Sequence, residues 1–288
     1  MNPRSSENYQ TINAGGRLID FKIPRIMAIV NLTSDSFYGQ SRVQDDRPLL
    51  YHVEKSLTEG ADFIDLGAQS TRPGAPLLSA SDELTQLLPA LEKIKKHFPQ
   101  AVLSVDTFYA EVATQAVDAG AHLINDISGG KFDPDMFSVV VRQKVPYIMG
   151  HVFGSIHDIH RPYQGQELLI DINIQLIQQL KTLFALGAKD VWIDPCFGFG
   201  KTREQNFELL ANLSHLKQLD CLILAGISRK SMIYKTLDIS AEEALNGTTA
   251  LHMIALEQGA SVLRVHDVWA AAECIKLFRE ISQATKRN

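Results

Sequence analysis

The chain has 288 residues, of which 45% are hydrophobic and 21% charged, with a formal net charge of −5. This is the make-up of a soluble globular chain with a large core, and the small negative balance gives no basic field for nucleic acid or a membrane surface. No apolar run approaches the roughly 20 residues that span a bilayer, MNPRSSENYQTINAGG lacks a signal peptide's apolar core, and three cysteines without a CxxC pair suit free thiols in a reducing, cytoplasmic compartment.

Taken in chain order, residues 1–22 contain an alternating stretch near RLIDFKI that predicts a hairpin. Eight short apolar runs follow: IMAIVN (26–31), DFIDLG (62–67), VLSVD (102–106), HLIND (122–126), PYIMGH (146–151), VWID (191–194), CLILAG (221–226) and SVLRVH (261–266). Unbroken runs of this length are what parallel strands covered on both faces require. Between them, residues 48–59, 81–97, 108–119, 166–186, 203–218, 242–258 and 267–282 carry apolar residues at helical spacing, as in Leu84, Leu87, Leu88, Leu91 and Ile94. The connection 127–145 is short, and 152–165 reads as a loop. A Gly-Ala pair recurs at 60–61, 120–121, 187–188 and 259–260, each time between a helix and a strand, where glycine suits the left-handed cap. The pair precedes every second strand, which predicts a pair of βα units repeated four times. The expected fold is therefore α/β, a single TIM (β/α)8 barrel over 1–288 with the N-terminal hairpin plugging one end. The length agrees with the roughly 250 residues typical of that fold.

The runs end in polar residues: Asn31, Thr71 with Arg72, Asp106, Asn125 with Asp126, His151, Asp194, Ser228 with Lys230, and Arg264 with His266. Repeated polar residues at one end of buried strands point to the C-terminal rim, where barrel enzymes keep their chemistry. Arg264 and His266 alternate around Val265 and face the same way. Two donors side by side suit a phosphate or pyrophosphate, with pairing of Arg264 to Asp267 as the structural alternative. Asn31 and Asp35 offer hard oxygen ligands for Mg²⁺. Asp106, Asn125 and Asp194, converging on one cavity, can read a heterocycle rich in N–H and C=O groups; caps or salt bridges are the other reading. Lys230 can neutralise one of those aspartates or hold a ligand carboxylate. FGFGK (197–201) does not meet the P-loop pattern, and its phenylalanines are read as walls of an aromatic pocket.

The motifs NLTSDSF (31–37), STRPGA (70–75), SVDT (104–107), NDISGG (125–130), DPCFGFGKT (194–202), GISRKS (226–231), GTTA (247–250) and LRVHD (263–267) follow in one order along almost the whole chain. In these the chain resembles the dihydropteroate synthase family, pterin-binding barrel transferases of folate synthesis and the targets of sulfonamides. The resemblance implies condensation of 6-hydroxymethyl-7,8-dihydropterin pyrophosphate with 4-aminobenzoate to give 7,8-dihydropteroate and pyrophosphate. It implies that Asp106, Asn125 and Asp194 hold the pterin with Lys230 bridging towards its ring. Asn31, Arg264 and His266 would take the pyrophosphate, with Mg²⁺ on Asn31 and Asp35. Thr71, Arg72 and Pro73 would shape the second-substrate site, Ser228 would receive the benzoate carboxylate, and Phe199 would pack on its ring. It further implies a homodimer through the C-terminal helices, which the apolar 248–258 and 268–278 segments permit.

The chain departs from the family pattern at Ser34 (usually Pro), Gln69 (usually Glu) and Cys196 (usually Gly), and in GHVFGSI after the fifth run, where Val152 replaces a methionine. These departures bear on efficiency. Two rivals stay open at this stage. A methyltetrahydrofolate-dependent corrinoid methyltransferase would share the pterin-reading residues but has no use for STRPGA, SRKS or the Arg264–His266 pair. A non-catalytic pterin-binding paralogue would be expected to lose Asn31, Asp194, Lys230 or Arg264, all of which are kept.

Overall fold

The computed structural model describes residues 10–32, 47–70 and 74–285. A two-stranded antiparallel hairpin comes first, β1 (Thr11–Ala14) and β2 (Arg17–Asp20), turning at Gly15 and Gly16, both at positive φ. Eight parallel strands then close into a barrel. These are β3 (Arg25–Asn31), β4 (Phe63–Gly67), β5 (Leu103–Asp106), β6 (Leu123–Asp126), β7 (Tyr147–Gly150), β8 (Val191–Asp194), β9 (Leu222–Ala225) and β10 (Val262–Val265). Each pairs with the next, and β10 pairs back to β3 with Val262 opposite Arg25. Every apolar run in the sequence is one of these strands.

The outer ring comprises α1 (Arg47–Glu59), α2 (Ala80–His97), α3 (Ala110–Ala119), α4 (Met136–Gln143), α5 (Leu168–Ala185), α6 (Arg203–Ala211), α7 (Ser231–Leu237), α8 (Leu245–Glu257) and α9 (Val268–Thr285). The helix expected over 203–218 is divided. α6 ends at Asn212, whose side-chain amide bonds back to the Glu208 carbonyl, and 213–219 tightens into 3-10 geometry. α4 and α7, of eight and seven residues, lie in stretches too short to show a helical period. The four Gly-Ala pairs form one repeated cap. Gly60, Gly120, Gly187 and Gly259 have φ of 107°, 109°, 102° and 100°. The following alanine N–H in each case reaches the carbonyl five residues back (Ser56, Ala116, Leu183, Ala255) at 2.9–3.2 Å, the Schellman closure.

Because side chains alternate along a strand, each barrel strand feeds two cores. Outward residues such as Ile64, Leu66, Val105, Ile193 and Leu263 pack under the helices. Inward residues nearest the N-terminal end are apolar: Met27, Phe63, Val102, Leu123, Ile148, Trp192, Leu222, Leu224 and Val262. The hairpin closes this end by adding Ile12, Ala14 and Phe21 to the same cluster. Phe21 and Phe63 meet Trp192 edge-on, with ring centroids 5.4 and 5.3 Å away. This end is packed solid, so a ligand can enter the barrel only from the other.

Candidate active site

Two residues beyond that apolar layer, the inward positions turn polar. Phe63 gives way to Asp65, Leu123 to Asn125, Trp192 to Asp194 and Val262 to Arg264, and Asp106 lies opposite both Gly67 and Asn125 in register. Arg264 stands at the centre of this layer. Its Nε donates to Asp65 Oδ2 at 2.7 Å and its Nη2 to Asp106 Oδ2 at 2.6 Å, while Asn125 Nδ2 donates to Asp65 Oδ2 at 2.9 Å. Asp65 is fully buried. It is not among the sequence candidates, because those are strand exits and Asp65 sits inside a strand; a carboxylate two residues before the end of an apolar run is the signal that marks it. The structural alternative for Arg264 is corrected as well. Asp267 belongs to Arg229, whose Nε and Nη2 grip it at 2.7 and 2.8 Å.

Space is left above the layer by two glycines. A Cβ at Gly67 would sit 3.4 Å from Asp106 Cβ, and one at Gly226 would sit 3.9 Å from Asp194 Oδ2. Side chains at either place would occupy the mouth in front of the carboxylates.

Asp194 closes the other side. Its Oδ1 accepts the Cys196 N–H at 2.7 Å. Burial raises its carboxyl above the usual range, against the pull of Lys230 and that N–H. Burial lowers the Lys230 ammonium in turn, against the pull of Asp194. Lys230 Nζ also donates to the Phe197 carbonyl and lies 4.8 Å over the Phe199 ring. Asp106 is pushed upward by burial and by the carboxylates of Asp65, Asp126 and Asp194, against Arg264. The layer thus concentrates carboxylates beyond what its cations neutralise, a setting that favours a ligand bringing N–H donors. Asp126, one residue after Asn125, acts on the layer only through its charge, because its hydrogen bonds go elsewhere. It caps its own turn through Ser128 and Gly130 and accepts from the buried Tyr147 hydroxyl at 2.7 Å.

Ser228 and His266, read separately from the sequence, meet: Ser228 Oγ accepts from the His266 N–H at 3.2 Å and lies 3.1 Å from its Nδ1. They join the ends of β9 and β10 into one polar edge next to Lys230 and Arg264. Phe199 lies beside an apolar wall of Phe108, Ile127, Val152, Ile159 and Cys196. Val152 is wholly buried in that wall, and Cys196 holds the left-handed conformation (φ 51°) where the resemblance expects glycine. Lys201, in the same glycine-rich segment, is buried and donates to the carbonyls of Cys196 and Phe199 at 3.0 and 3.1 Å, tying the segment together. Burial lowers its pKa to about 8. Asn31 ends β3 half-exposed. Asp35, Thr71, Arg72 and Pro73 lie outside the described residues, as does Ser34. Among the described residues no three His, Cys, Asp or Glu side chains are grouped to hold a metal.

A barrel packed shut at one end, with a buried carboxylate–guanidinium layer at the other and an apolar wall beside it, is the arrangement of a barrel enzyme's C-terminal rim. Comparison with known proteins is more specific. Residues 27–266 match the family described as "Pterin binding enzyme". A dihydropteroate synthase of Clostridium beijerinckii is 39% identical over 88% of this chain and 92% of its own length. The longer folic acid synthesis protein of Pneumocystis carinii is 38% identical over 89% of this chain, which spans 36% of that protein. Among solved structures, the Yersinia pestis dihydropteroate synthase with a sulfonamide drug superimposes with a TM-score of 0.87 at 34% identity, covering 96% of this chain and 100% of that one. The Xanthomonas albilineans dihydropteroate synthase with 4-aminobenzoic acid gives 0.86 at 32%, covering 95% and 98%. The chain belongs to the pterin-binding enzyme family, in its dihydropteroate synthase branch.

Proposed function

We propose that this protein condenses 6-hydroxymethyl-7,8-dihydropterin pyrophosphate with 4-aminobenzoate, giving 7,8-dihydropteroate and pyrophosphate. The observation that carries the reading is the inward polar layer, in which Asp65, Asp106, Asn125 and Asp194 surround Arg264 above a sealed apolar floor. A pterin ring presents a row of N–H donors and one carbonyl, which suits acceptor carboxylates beside one amide. Asp194, Asn125 and Asp106 are assigned to that ring, with Lys230 flanking it. Arg264, held between two carboxylates, is fixed in orientation; its remaining N–H groups and the His266 ring are assigned to the pyrophosphate.

In the reaction the bond between the exocyclic methylene carbon and the pyrophosphate oxygen breaks, and the oxygen keeps the electron pair. The aniline nitrogen then bonds to the methylene carbon and loses a proton. The protein's contribution is electrostatic: cations at the leaving anion and carboxylates beside the ring that becomes electron-poor. Phe199 and the wall around Val152 are assigned to the benzoate ring, and Ser228 and Lys230 to its carboxylate, with Thr71, Arg72 and Pro73 completing that site. None of the three cysteines takes part.

Mg²⁺ is assigned to the pyrophosphate end. The Asn31 amide oxygen, half-exposed at the end of β3, is a hard donor of the type Mg²⁺ accepts, and Asp35 is the second protein ligand in this reading. When bound, the ion would neutralise charge on the leaving group. A homodimer is part of the proposal, supported by the exposed Ile254, Trp269, Leu277 and Ile281 on α8 and α9. The deciding experiment is an assay of purified protein with both substrates and Mg²⁺, following pyrophosphate and dihydropteroate together. Equal formation of both supports the reading; pterin binding without turnover would leave only a binding protein.

A further inference from the structure

Beyond Pro195 the chain makes a turn bent at alternate residues: Cys196, Gly198 and Gly200 hold φ of 51°, 92° and 60°. Left-handed backbone is costly for a residue with a Cβ, so Cys196 must be held there. Its N–H is taken by Asp194 Oδ1 at 2.7 Å and its carbonyl by Lys201 Nζ at 3.0 Å. Lys201 also donates to the Phe199 carbonyl at 3.1 Å and to the His151 carbonyl, just after β7, at 3.4 Å. Lys201 is buried, and the three carbonyls match the three protons of its ammonium. Carbonyl oxygens aimed at one spot repel one another, and a positive charge between them removes that cost. A neutral amine has only two N–H groups, so one carbonyl would face its lone pair.

A second lysine grips the same turn. Lys230 Nζ donates to the Phe197 carbonyl and lies 4.8 Å from the centre of the Phe199 ring. The Gly198 N–H donates to Asn206 Oδ1 at 2.6 Å, which ties the turn to α6. Phe199 and Lys230 are assigned above to the benzoate, whereas Lys201 bonds only the backbone that carries and flanks them.

We propose that Lys201 is a positioning residue for the second substrate: its ammonium holds the 196–200 turn in the shape that sets the Phe199 ring beside Lys230. The inference rests on the assignment of Phe199 and Lys230 to 4-aminobenzoate. The charge involved is one that can be lost near neutrality. Burial lowers the Lys201 pKa to about 8, Lys230 and Lys131 lower it further, and Asp194 opposes them. Of the other groups around it, burial keeps the Cys196 thiol and the His151 ring neutral. Burial also lowers Lys131 and Lys230, so a variant without the Lys201 amine is needed to separate their titration from its own.

K201M and K201Q test the proposal, with the KM for each substrate measured separately. The KM for 4-aminobenzoate should rise about tenfold in K201M, the size of a lost hydrogen bond to a charged group. The KM for the pterin substrate should rise much less. A merely structural role would lower the folded fraction, and with it kcat, while leaving both KM values alone. In the parent, the KM for 4-aminobenzoate should also rise severalfold as pH passes through about 8 and the ammonium loses its proton. 4-Aminobenzoate does not change charge in that range, and both variants should lack the rise. If K201M does not fold, K201Q and the parent profile supply the same comparisons. Unchanged KM values, equal rises for both substrates, or a parent-like pH rise in the variants would overturn the proposal. A parent that forms no dihydropteroate would sink the assigned reaction and this role with it. Normal turnover in the parent beside unchanged KM values in the variants would sink the role alone.

Discussion

Arg264 illustrates how burial changes what a single side chain is expected to do. Read as an exposed anion ligand, its removal would weaken only pyrophosphate. In the structure it also neutralises fully buried Asp65 and part-buried Asp106. Arg264→Ala should therefore cost roughly 3–5 kcal/mol of stability, the penalty of leaving buried carboxylates unpaired, besides abolishing turnover. Thermal unfolding reads this directly, and a variant that melts like the parent would return Arg264 to a purely ligand-facing role. Asp194→Asn should behave differently. The amide oxygen of the new side chain can still accept the Cys196 N–H, so the fold is kept. One acceptor becomes a donor, and pterin affinity should fall by roughly 1–3 kcal/mol through the mispaired group. Calorimetric titration with a pterin checks it; normal binding would remove Asp194 from the site.

At the scale of elements, the four helix caps and the start of α2 each make a separable prediction. Gly187 has φ of 102°, and a Cβ there would meet nothing closer than Val141 Cγ1 at 4.0 Å. Gly187→Ala thus tests backbone strain without a clash and should destabilise by roughly 1–2 kcal/mol, with both KM values unchanged. Glu83, in the first turn of α2, has a pKa raised from its ordinary 4.5 to about 7, chiefly by burial and then by Asp106, while Thr107 and Gln69 oppose the rise. The folded state therefore favours the neutral acid. From about pH 4.5 upward the unfolded chain releases this proton first, so the stability Glu83 confers is full below that pH and is lost as pH rises through about 7. The displacement corresponds to on the order of 3 kcal/mol at most. Denaturant unfolding of the parent should lose stability across this window. E83Q, which cannot titrate, should show a flatter profile; identical pH dependence in the two proteins would exclude Glu83 as the source.

On the scale of the whole molecule, the proposed second-substrate site draws on distant parts of the chain. Ser228 and Lys230 follow β9, Phe199 follows β8, and residues 71–73 follow β4 in sequence. If the pterin and pyrophosphate complete that site, a sulfonamide should bind the free protein weakly. Pterin and pyrophosphate with Mg²⁺ should then tighten it at least about tenfold, a coupling of roughly 1.4 kcal/mol. Calorimetry with and without the first ligands decides, and equal tight binding in both would mean a preformed pocket.

What the sequence determined by itself is whatever depends on neighbours along the chain. All eight barrel strands were legible because a strand buried on both faces must be a continuous apolar run. The helix-to-strand joints were legible because the Schellman cap needs a residue at positive φ, marked by the recurring Gly-Ala. Most of the polar rim was legible too, since strand ends fall at one face of the barrel. The tertiary structure decided which of those polar groups meet. Arg264 lies 199 residues from Asp65 and 158 from Asp106, and they become partners only because β10 closes onto β3. Ser228 finds His266, Gln69 finds Glu83 and Arg229 takes Asp267 in the same way, through register across strands and packing of loops on helices. A local pattern can say that a charge will be buried near the rim. Its partner is fixed by barrel closure, which brings together residues whose separation along the chain carries no periodic signal.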